Sequence, residues 1–304
     1  MSNFIEIKNA IIRYGGDVPN SNTIKEMVYV LRQIVKEDKA QAENMSISND
    51  SLGLFGQILI YAQRFIEIGY IFTEIYARGE YQNWEPKSSK PRIIDLGGDP
   101  GAFSVIYWKF KSPDANIIVV EANPSTAKTM RKVLNKRRYD DVDVINAAIS
   151  SDDHGLATLS LHQPTKGFHT QDFIRKSNQE DPNTYSIEVP KIKLSTLIPD
   201  NENIDLLKID IEGSELEAVH ELSDSGKIQN VSQIIMEFHH DLVLYPTNSL
   251  TTMLYLLNLN GFLITSAHIT GGGLRSKNSI SIKDLQEIAT STKKLFLTIS
   301  AIRN

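Results

Sequence analysis

Residues 92–101 have the sequence Arg-Ile-Ile-Asp-Leu-Gly-Gly-Asp-Pro-Gly, which is typical of a strand that turns sharply into a helix. Its β-branched start stops at Asp95, and the apolar run 102–107 follows the glycines. Glycine allows a positive φ and a close approach of the backbone to a ligand. The helix behind the turn presents unpaired N–H groups, at the sheet edge where open α/β proteins bind ligands. We therefore predict a nucleoside-cofactor loop formed by Gly97, Gly98 and Gly101.

The spacing of these glycines distinguishes between two nucleoside cofactors. A dinucleotide loop has the pattern Gly-x-Gly-x-x-Gly, whereas this chain has Asp95-x-Gly97-x-x-x-Gly101. A carboxylate ahead of the glycines repels a pyrophosphate and can help to hold the ammonium of an amino-acid moiety. The loop thus favours S-adenosylmethionine over NAD, although a tight turn with a purely structural role would use the same residues.

Composition limits the class of protein. A chain of 304 residues can form one large α/β domain with an appendage. The absence of cysteine excludes disulfides, a thiolate nucleophile and a cysteine-ligated zinc site. The net charge of −5 argues against a broadly basic surface, so we expect no nucleic-acid partner. Residues 1–10 lack a signal-peptide pattern and no stretch is apolar enough to span a bilayer, which predicts a cytoplasmic protein without a membrane partner.

The N-terminal part differs in character from the rest of the chain. Residues 24–36 and 51–78 have a helical spacing of apolar residues, and the second segment is apolar over too much of its circumference to face solvent. Residues 80–90 have the composition of a linker. We predict a helical appendage over residues 1–90, which caps the site or forms a homo-oligomer interface, and a main domain over residues 91–304.

Beyond the glycine loop, strand and helix patterns alternate, which predicts an α/β fold with a mostly parallel sheet and helices on both faces. Pro124 suits the first position of a helix, and residues 155–161 have the pattern of a hairpin strand. Residues 162–186 form a long polar insertion, which we interpret as part of the acceptor pocket, a surface loop being the alternative. The seven predicted strands begin at Arg92 and continue with residues 116–120, 143–149, 206–211, 233–238, 262–266 and 295–302.

Four acidic residues, Asp95, Glu121, Asp210 and Glu237, lie at or just past the ends of these strands. Because open α/β sheets bind their ligands at this edge, we expect the four carboxylates to be near the ligand. Glu121 follows the second strand, where an acidic residue accepts hydrogen bonds from ribose hydroxyls. A surface carboxylate is the alternative for Glu121 taken alone.

The strand before Gly213 carries Lys208, Asp210 and Glu212 on one side. Burying charges in an inner strand is costly unless they pair or have a function. We expect Lys208 to form an ion pair with a carboxylate, and Asp210 and Glu212 to serve the site.

His239 shares a side of its strand with Glu237, and a histidine at a strand end can act as a general base near neutral pH. We predict His239 as the base, oriented by Asp210 and Glu237; His240 is the alternative, and a structural histidine is the other interpretation for either. The same carboxylates could hold Mg²⁺, which prefers oxygen ligands. The sequence has no dedicated metal-ligand spacing, so the histidine mechanism is favoured and no metal ligand is assigned.

Six motifs follow one another along residues 92–240. They are Asp95-Leu-Gly97-Gly98-Asp-Pro-Gly101, Glu121-Ala122-Asn123-Pro124, Asn146-Ala-Ala148-Ile-Ser150, Val189-Pro190, Ile204-Asp-Leu-Leu-Lys208-Ile-Asp210-Ile-Glu212-Gly-Ser-Glu215 and Ile235-Met-Glu237-Phe-His239. Together, and in this order, they resemble the FkbM family of S-adenosylmethionine-dependent methyltransferases.

The resemblance implies a class I methyltransferase fold, with a seven-stranded sheet whose last strand is antiparallel. It also implies methyl transfer, mostly to hydroxyls, with a small-molecule or saccharide acceptor. The implied cofactor-binding residues are Asp95, Gly97, Gly98, Gly101, Glu121, Ala122, Asn123, Ala148 and Asp210.

The chain departs from the family pattern after Thr196-Leu197, where family members commonly carry an aspartate. The resemblance also leaves out residues 1–90 and 162–186, where acceptor specificity would be decided. Two other functions stay open: a catalytically silent scaffold subunit with this fold, and an NAD-linked oxidoreductase. The Asp95-x-Gly97 pattern argues against the oxidoreductase, and the retained acidic residues argue against the silent scaffold.

Overall fold

The structure is a computed structural model, and it describes residues 75, 81, 83–98, 102–139, 141–162, 173–174, 184–242, 245–270, 278–290 and 295–303. The helices predicted within residues 24–36 and 51–78 lie outside the described residues, except for Ile75. Gly101 also lies outside them. The predicted appendage and homo-oligomer interface therefore stay predictions.

The strands form two sheets. In chain order they are β1 (Arg92–Leu96), β2 (Asn116–Val120), β3 (Val142–Ile145), β4 (Ala148–Ile149), β5 (Leu156–His162), β6 (Phe173–Ile174), β7 (Thr184–Ile192), β8 (Leu206–Ile209), β9 (Gln233–His240), β10 (Phe262–Thr270), β11 (Asn278–Ser279) and β12 (Leu295–Arg303). The principal sheet has the order β11-β10-β12-β9-β8-β1-β2-β3, and the smaller sheet has the order β4-β7-β5-β6.

The principal sheet confirms the predicted α/β fold. Strands β3, β2, β1, β8 and β9 are parallel, and β12 runs antiparallel between β9 and β10. These are the seven predicted strands with the last one antiparallel, and the two-residue β11 extends the edge beyond β10. The order reverses between β1 and β8, so the ends of these strands frame the crevice where such sheets bind ligands.

Among the described residues, five helices cover the two faces of the principal sheet. They are α1 (Phe103–Lys111), α2 (Pro124–Arg137), α3 (Glu215–Asp224), α4 (Leu250–Leu259) and α5 (Ile282–Ala289). Helix α2 begins as predicted, because Pro124 occupies its first turn and the Asn123 side chain accepts a hydrogen bond from Ser125 N at 2.9 Å. None of the helices among the described residues is long and apolar enough to cross a bilayer.

Two predicted strand boundaries are wrong, each for a local reason. The strand predicted over residues 143–149 is divided, because the Asn146 amide donates hydrogen bonds to the carbonyl oxygens of Glu121 (2.8 Å) and Ala122 (2.9 Å). The chain leaves the principal sheet there, and β4 pairs with β7 instead. Strand β8 ends at Ile209 rather than at residue 211, because the chain turns through Glu212 (φ 50°) and Gly213 (φ 92°).

The predicted insertion is partly regular structure. His162 ends β5, Phe173–Ile174 form β6, and β7 begins at Thr184 and pairs antiparallel with β5. Residues 163–172 and 175–183 lie outside the described residues. The hairpin predicted from residues 155–161 is confirmed.

The face of the sheet under α1 is closed by aromatic rings from the segment predicted as a linker. Trp84 is buried, and its ring lies 5.6 Å from that of Trp108 in α1, in an edge-on arrangement. The Tyr81 ring lies 5.0 Å from Trp108. These two residues therefore belong to the hydrophobic core of the main domain.

Candidate functional site

The glycine loop packs directly against the end of β8. Gly97 has φ +80° and donates its N–H to Val120 O at 2.9 Å. A Cβ at this position would lie 1.7 Å from the backbone oxygen of Asp210. A Cβ on Gly98 would lie 2.4 Å from the Met130 sulfur in α2. Gly97 is thus required by its contact with the β8 end, whereas at Gly98 a side chain would have to displace the flexible Met130; both glycines leave the loop backbone bare at the sheet edge.

A buried lysine holds this loop to the two central strands. Lys208 Nζ donates to Leu96 O at 3.1 Å and to Gly97 O at 2.5 Å. The same atom lies 3.2 Å from Asp95 Oδ1 and 3.5 Å from Asp210 Oδ2. The predicted ion pair of Lys208 is therefore confirmed, and it involves two carboxylates. It joins the ends of β1 and β8 through one ammonium group.

Asp95 lies behind the loop and is completely buried. Its Oδ2 accepts a hydrogen bond from Trp108 Nε1 at 2.9 Å, and its Oδ1 faces Lys208. The sequence predicted that Asp95 would help to hold a ligand ammonium. In the structure the cation beside this carboxylate is Lys208, so Asp95 shapes the loop from behind.

The end of β2 brings together four more of the predicted cofactor residues. Glu121 is buried, and its Oε1 accepts a hydrogen bond from Asn123 N at 2.6 Å. Ala122 packs against a small apolar cluster of the second sheet that contains Ala148. Since Gly97 N bonds to the last residue of β2, the loop and this acidic turn are adjacent. Glu121, Ala122, Asn123 and Ala148 thus converge on one side of the crevice.

The other side of the crevice carries a histidine between two carboxylates. The buried His239 lies in β9, with Nε2 3.0 Å from Glu212 Oε2 and Nδ1 2.8 Å from Glu215 Oε1. Asp210, Glu212 and His239 each offer an atom within 4.8 Å of the other two. The predicted proximity of His239 and Asp210 is therefore confirmed.

The turn after β8 determines where Glu212 points. Glu212 has φ 50°, which is uncommon for a residue other than glycine. Gly213 follows with φ 92°, and a Cβ there would lie 2.2 Å from the Tyr245 ring. The contact with Tyr245 permits only glycine at this position, so the turn is held in a shape that brings the Glu212 carboxylate to His239.

A second set of hydrogen bonds fixes the carboxylate on the far side of the ring. Glu215 Oε1 also accepts from Gly213 N at 2.9 Å, and Oε2 accepts from Asn248 Nδ2 at 2.5 Å. Asn248 Nδ2 donates to His239 O at 3.0 Å as well. Glu215 is completely buried, so it is a fixed partner for His239 Nδ1.

Comparison with known proteins assigns the family. The sequence profile described as the Methyltransferase FkbM domain matches residues 95–264, which is more than half of the chain and contains both sides of the crevice. The chain belongs to the FkbM methyltransferase family. The match confirms the resemblance inferred from the spaced motifs.

Two curated methyltransferases are similar to this FkbM protein in sequence. Methyltransferase 1 of Beauveria bassiana (strain ARSEF 2860) is 27% identical over 174 residues, which cover 52% of this chain and 69% of that protein. Methyltransferase sdnD of Sordaria araneosa is 28% identical over 186 residues, which cover 52% of this chain and 70% of that protein.

One solved structure shows a similarity at a low level. StiE O-MT residues 942-1257 is 7% identical with a TM-score of 0.44, over 84% of this chain and 83% of that one. Since that score is low, the fold assignment rests on the strand order and the family.

The protonation of the histidine follows from its neighbours. Burial alone would lower the pKa of His239, but the charges of Glu212 and Glu215 outweigh burial and raise that pKa well above its usual value. Burial raises the pKa of Glu212, against the opposing charge of His239. Burial also acts to raise the pKa of Glu215, but His239 and the Gly213 N–H hold it below its usual value. His239 and its two partners are thus electrostatically coupled, with one carboxylate at each ring nitrogen.

The contacts of His239 differ from those predicted. His239 was predicted to be a general base oriented by Asp210 and Glu237, whereas its ring nitrogens face Glu212 and Glu215. Glu237 lies two residues earlier on β9 and pairs in register with Thr298 of β12. The alternative base, His240, is also buried and points to the opposite face of the strand.

Sequence reasoning missed Glu215 and Asn248 as members of the site. The sequence did contain a feature that indicates Glu215, because this residue follows Glu212 within the quoted motif. A buried acidic residue in the first turn of a helix also requires a partner. No sequence feature indicates Asn248, since it lies in a loop and is brought to Glu215 only by the folding of the chain.

Proposed function

We propose that this FkbM methyltransferase transfers the methyl group of S-adenosylmethionine to a hydroxyl oxygen of a small molecule or saccharide. One observation carries the proposal. The bare glycine loop and Glu121 lie at the ends of β1 and β2, and the Asp210–Glu212–His239 cluster lies at the ends of β8 and β9, so cofactor residues and ionisable groups face one crevice.

The cofactor half of the crevice suits a sulfonium nucleoside. The loop backbone at Gly97 and Gly98 would hold the methionine end, and Glu121 would accept hydrogen bonds from the ribose hydroxyls. Ala122 and Ala148 contribute an apolar surface beside them. The Asp95–Lys208 pair sets the shape of the loop without itself facing the ligand.

Methyl transfer requires the protein mainly to position the acceptor and to remove its proton. The acceptor oxygen attacks the methyl carbon in line, the O–CH₃ bond forms and the S–CH₃ bond breaks. The bonding electron pair stays on sulfur, which leaves as neutral S-adenosylhomocysteine. The hydroxyl proton must also leave, and because an alcohol is a weak acid this happens together with the attack.

The proton is taken up at the cluster at the end of β8. Asp210 is its most accessible carboxylate, with 28% of the side chain exposed. His239 is a positioning residue for Glu212 and for the acceptor, through its contacts with Glu212 and Glu215. Glu237, on the same side of β9, stays a predicted member of the catalytic set.

The test uses methyl-labelled S-adenosylmethionine with small-molecule extracts of the source organism. We expect a labelled product whose new methyl group is bonded to oxygen, as shown by NMR. His239→Ala should lower turnover by roughly 10²–10⁴-fold, because it disrupts the group that positions the acid–base cluster. His220→Ala, on the exposed face of α3, is the control and should retain activity. Transfer to carbon or nitrogen would contradict the proposal, and binding of the cofactor without any transfer would favour the silent scaffold.

A further inference from the structure

Three side chains of this site have the donor set of a metal centre. Asp210, Glu212 and His239 each present one ligand atom, and these atoms all lie within 4.8 Å of one another. We propose that they bind a divalent cation of the Mn²⁺ type. A magnesium site was ranked second from the sequence, because the chain has no dedicated metal-ligand spacing. The fold brings them together from the turn after β8 and from β9.

The donor atoms favour a particular class of cation. Two carboxylate oxygens balance a double positive charge, and an imidazole nitrogen adds a borderline-soft ligand. Mg²⁺ prefers oxygen and water ligands, whereas Mn²⁺ accepts mixed nitrogen and oxygen donors. The carboxylates of Asp210 and Glu212 are 28% and 17% exposed, so further coordination positions face the crevice.

The groups behind the histidine are those that orient a metal-binding imidazole. Nδ1 of His239 contacts Glu215 Oε1 at 2.8 Å, and Glu215 is fixed by Gly213 N and Asn248 Nδ2. A carboxylate on one ring nitrogen fixes the tautomer and the ring orientation, and leaves the other nitrogen for a cation. Nε2 is the nitrogen that faces Glu212.

An independent observation on Glu212 supports the site. Its Oε2 is a buried atom that accepts no directed hydrogen bond, although it lies 3.0 Å from His239 Nε2. Buried carboxylate oxygens normally have a hydrogen-bond donor. A cation between Oε2 and Nε2 would complete the coordination of both atoms.

The backbone gives a further reason to regard this carboxylate as positioned for a ligand. Glu212 is one of three residues other than glycine with a positive φ among the described residues. Backbone strain of this kind persists where the surrounding structure holds it, and it is concentrated at functional sites. Here the Tyr245 ring against Gly213 holds the turn.

The role of the cation rests on the proposed function. A divalent cation in this position would bind the acceptor hydroxyl oxygen and lower its pKa, so that the proton leaves more readily during the attack. Lys208 Nζ, 3.5 Å from Asp210 Oδ2, would keep that ligand in place from the opposite side.

The experiment titrates Mn²⁺ into the chelator-treated full-length protein and follows free Mn²⁺ by EPR. We expect one saturable site in the wild type and at least about tenfold weaker binding in Glu212→Gln and Asp210→Asn. Glu215→Gln replaces only the carboxylate behind the imidazole by an amide and should weaken Mn²⁺ binding by about 10–100-fold. Asp224→Asn is the matched control, because Asp224 and His220 form an exposed histidine–carboxylate pair on α3 and should not contribute to binding.

Calorimetry with S-adenosylmethionine in the presence of chelator separates this inference from the proposed function. Cofactor binding without saturable Mn²⁺ binding below about 1 mM would overturn the cation site and leave the methyltransferase proposal standing. Mn²⁺ binding that is unchanged in both Glu212→Gln and Asp210→Asn would also overturn it. Saturable Mn²⁺ binding that these variants weaken supports the site, even where the cofactor fails to bind.

Discussion

Replacing Lys208 with methionine tests the structural basis of the cofactor loop. The side chain is 3% exposed, and its ammonium contacts the Asp95 and Asp210 carboxylates and the carbonyl oxygens of Leu96 and Gly97. Methionine keeps most of the apolar stem but removes the charge and all of its donors. Asp95 then stays completely buried, with the hydrogen bond from Trp108 as its remaining described partner.

The expected loss is large because one charge of a buried pair is left without the other. Breaking such a pair costs about 3–5 kcal/mol. At about 2–4 °C per kcal/mol for a domain of this size, the melting temperature should fall by about 6–20 °C. Adding Asp95→Asn should restore at least about half of the lost stability, because asparagine removes the unpaired charge and keeps an acceptor for Trp108.

Urea denaturation of the wild type and of the single and double variants measures these changes in the free energy of unfolding. Lys227→Met is the control, since Lys227 pairs with Asp200, a carboxylate with 88% of its side chain exposed, and the loss should be much smaller. The role of the buried ion pair is refuted if Lys208→Met lowers the free energy of unfolding by less than about 1 kcal/mol. It is also refuted if the double variant is no more stable than the single one.

Two further substitutions test the packing around the site, each by thermal denaturation against a matched control. Gly97→Ala should lose far more stability than Gly155→Ala, although both glycines have a similar positive φ. At Gly97 an alanine Cβ would lie 1.7 Å from Asp210 O, whereas at Gly155 it would meet open space. Backbone strain alone, as at Gly155, costs about 1–2 kcal/mol. Equal losses would show that the contact with β8 is unimportant. Trp84→Ala should cost about 3–5 kcal/mol, whereas Tyr255→Ala, 66% exposed on α4, should cost little. A small loss at Trp84 would mean that the segment before residue 91 does not stabilise the main domain.

Sequence patterns predicted the strands and helices of the principal sheet, because burial dictates their residue types. The mostly apolar strands β1 and β8 are buried on both faces, and Pro124 and Asn123 define the start of α2. The division of the strand at Asn146 could not be predicted in this way. It depends on hydrogen bonds from one amide to two carbonyl oxygens 24 and 25 residues away.

The candidate site was predictable in its position but not in its contacts. The strand ends indicated Asp95, Glu121, Asp210 and His239 as site residues, and these residues lie at or next to the C-terminal ends of β1, β2, β8 and β9. Strand alternation put His239 with Glu237, but a turn at positive φ brings Glu212 to the histidine instead. Alternation describes an extended chain, and the conformation of that turn depends on Gly213 packing against Tyr245.

Isothermal titration calorimetry with S-adenosylmethionine measures whether this cofactor binds at the ends of β1 and β2. The wild type should bind S-adenosylmethionine and S-adenosylhomocysteine but not NAD. Removing a charged hydrogen-bond partner costs on the order of 1.5–3 kcal/mol, so Glu121→Ala should weaken binding by at least about tenfold. Asp143→Ala, on the exposed side of the neighbouring strand β3, should leave the affinity unchanged. A wild type that binds NAD in preference to S-adenosylmethionine, or a Glu121→Ala variant with wild-type affinity, would contradict binding of S-adenosylmethionine at the ends of β1 and β2.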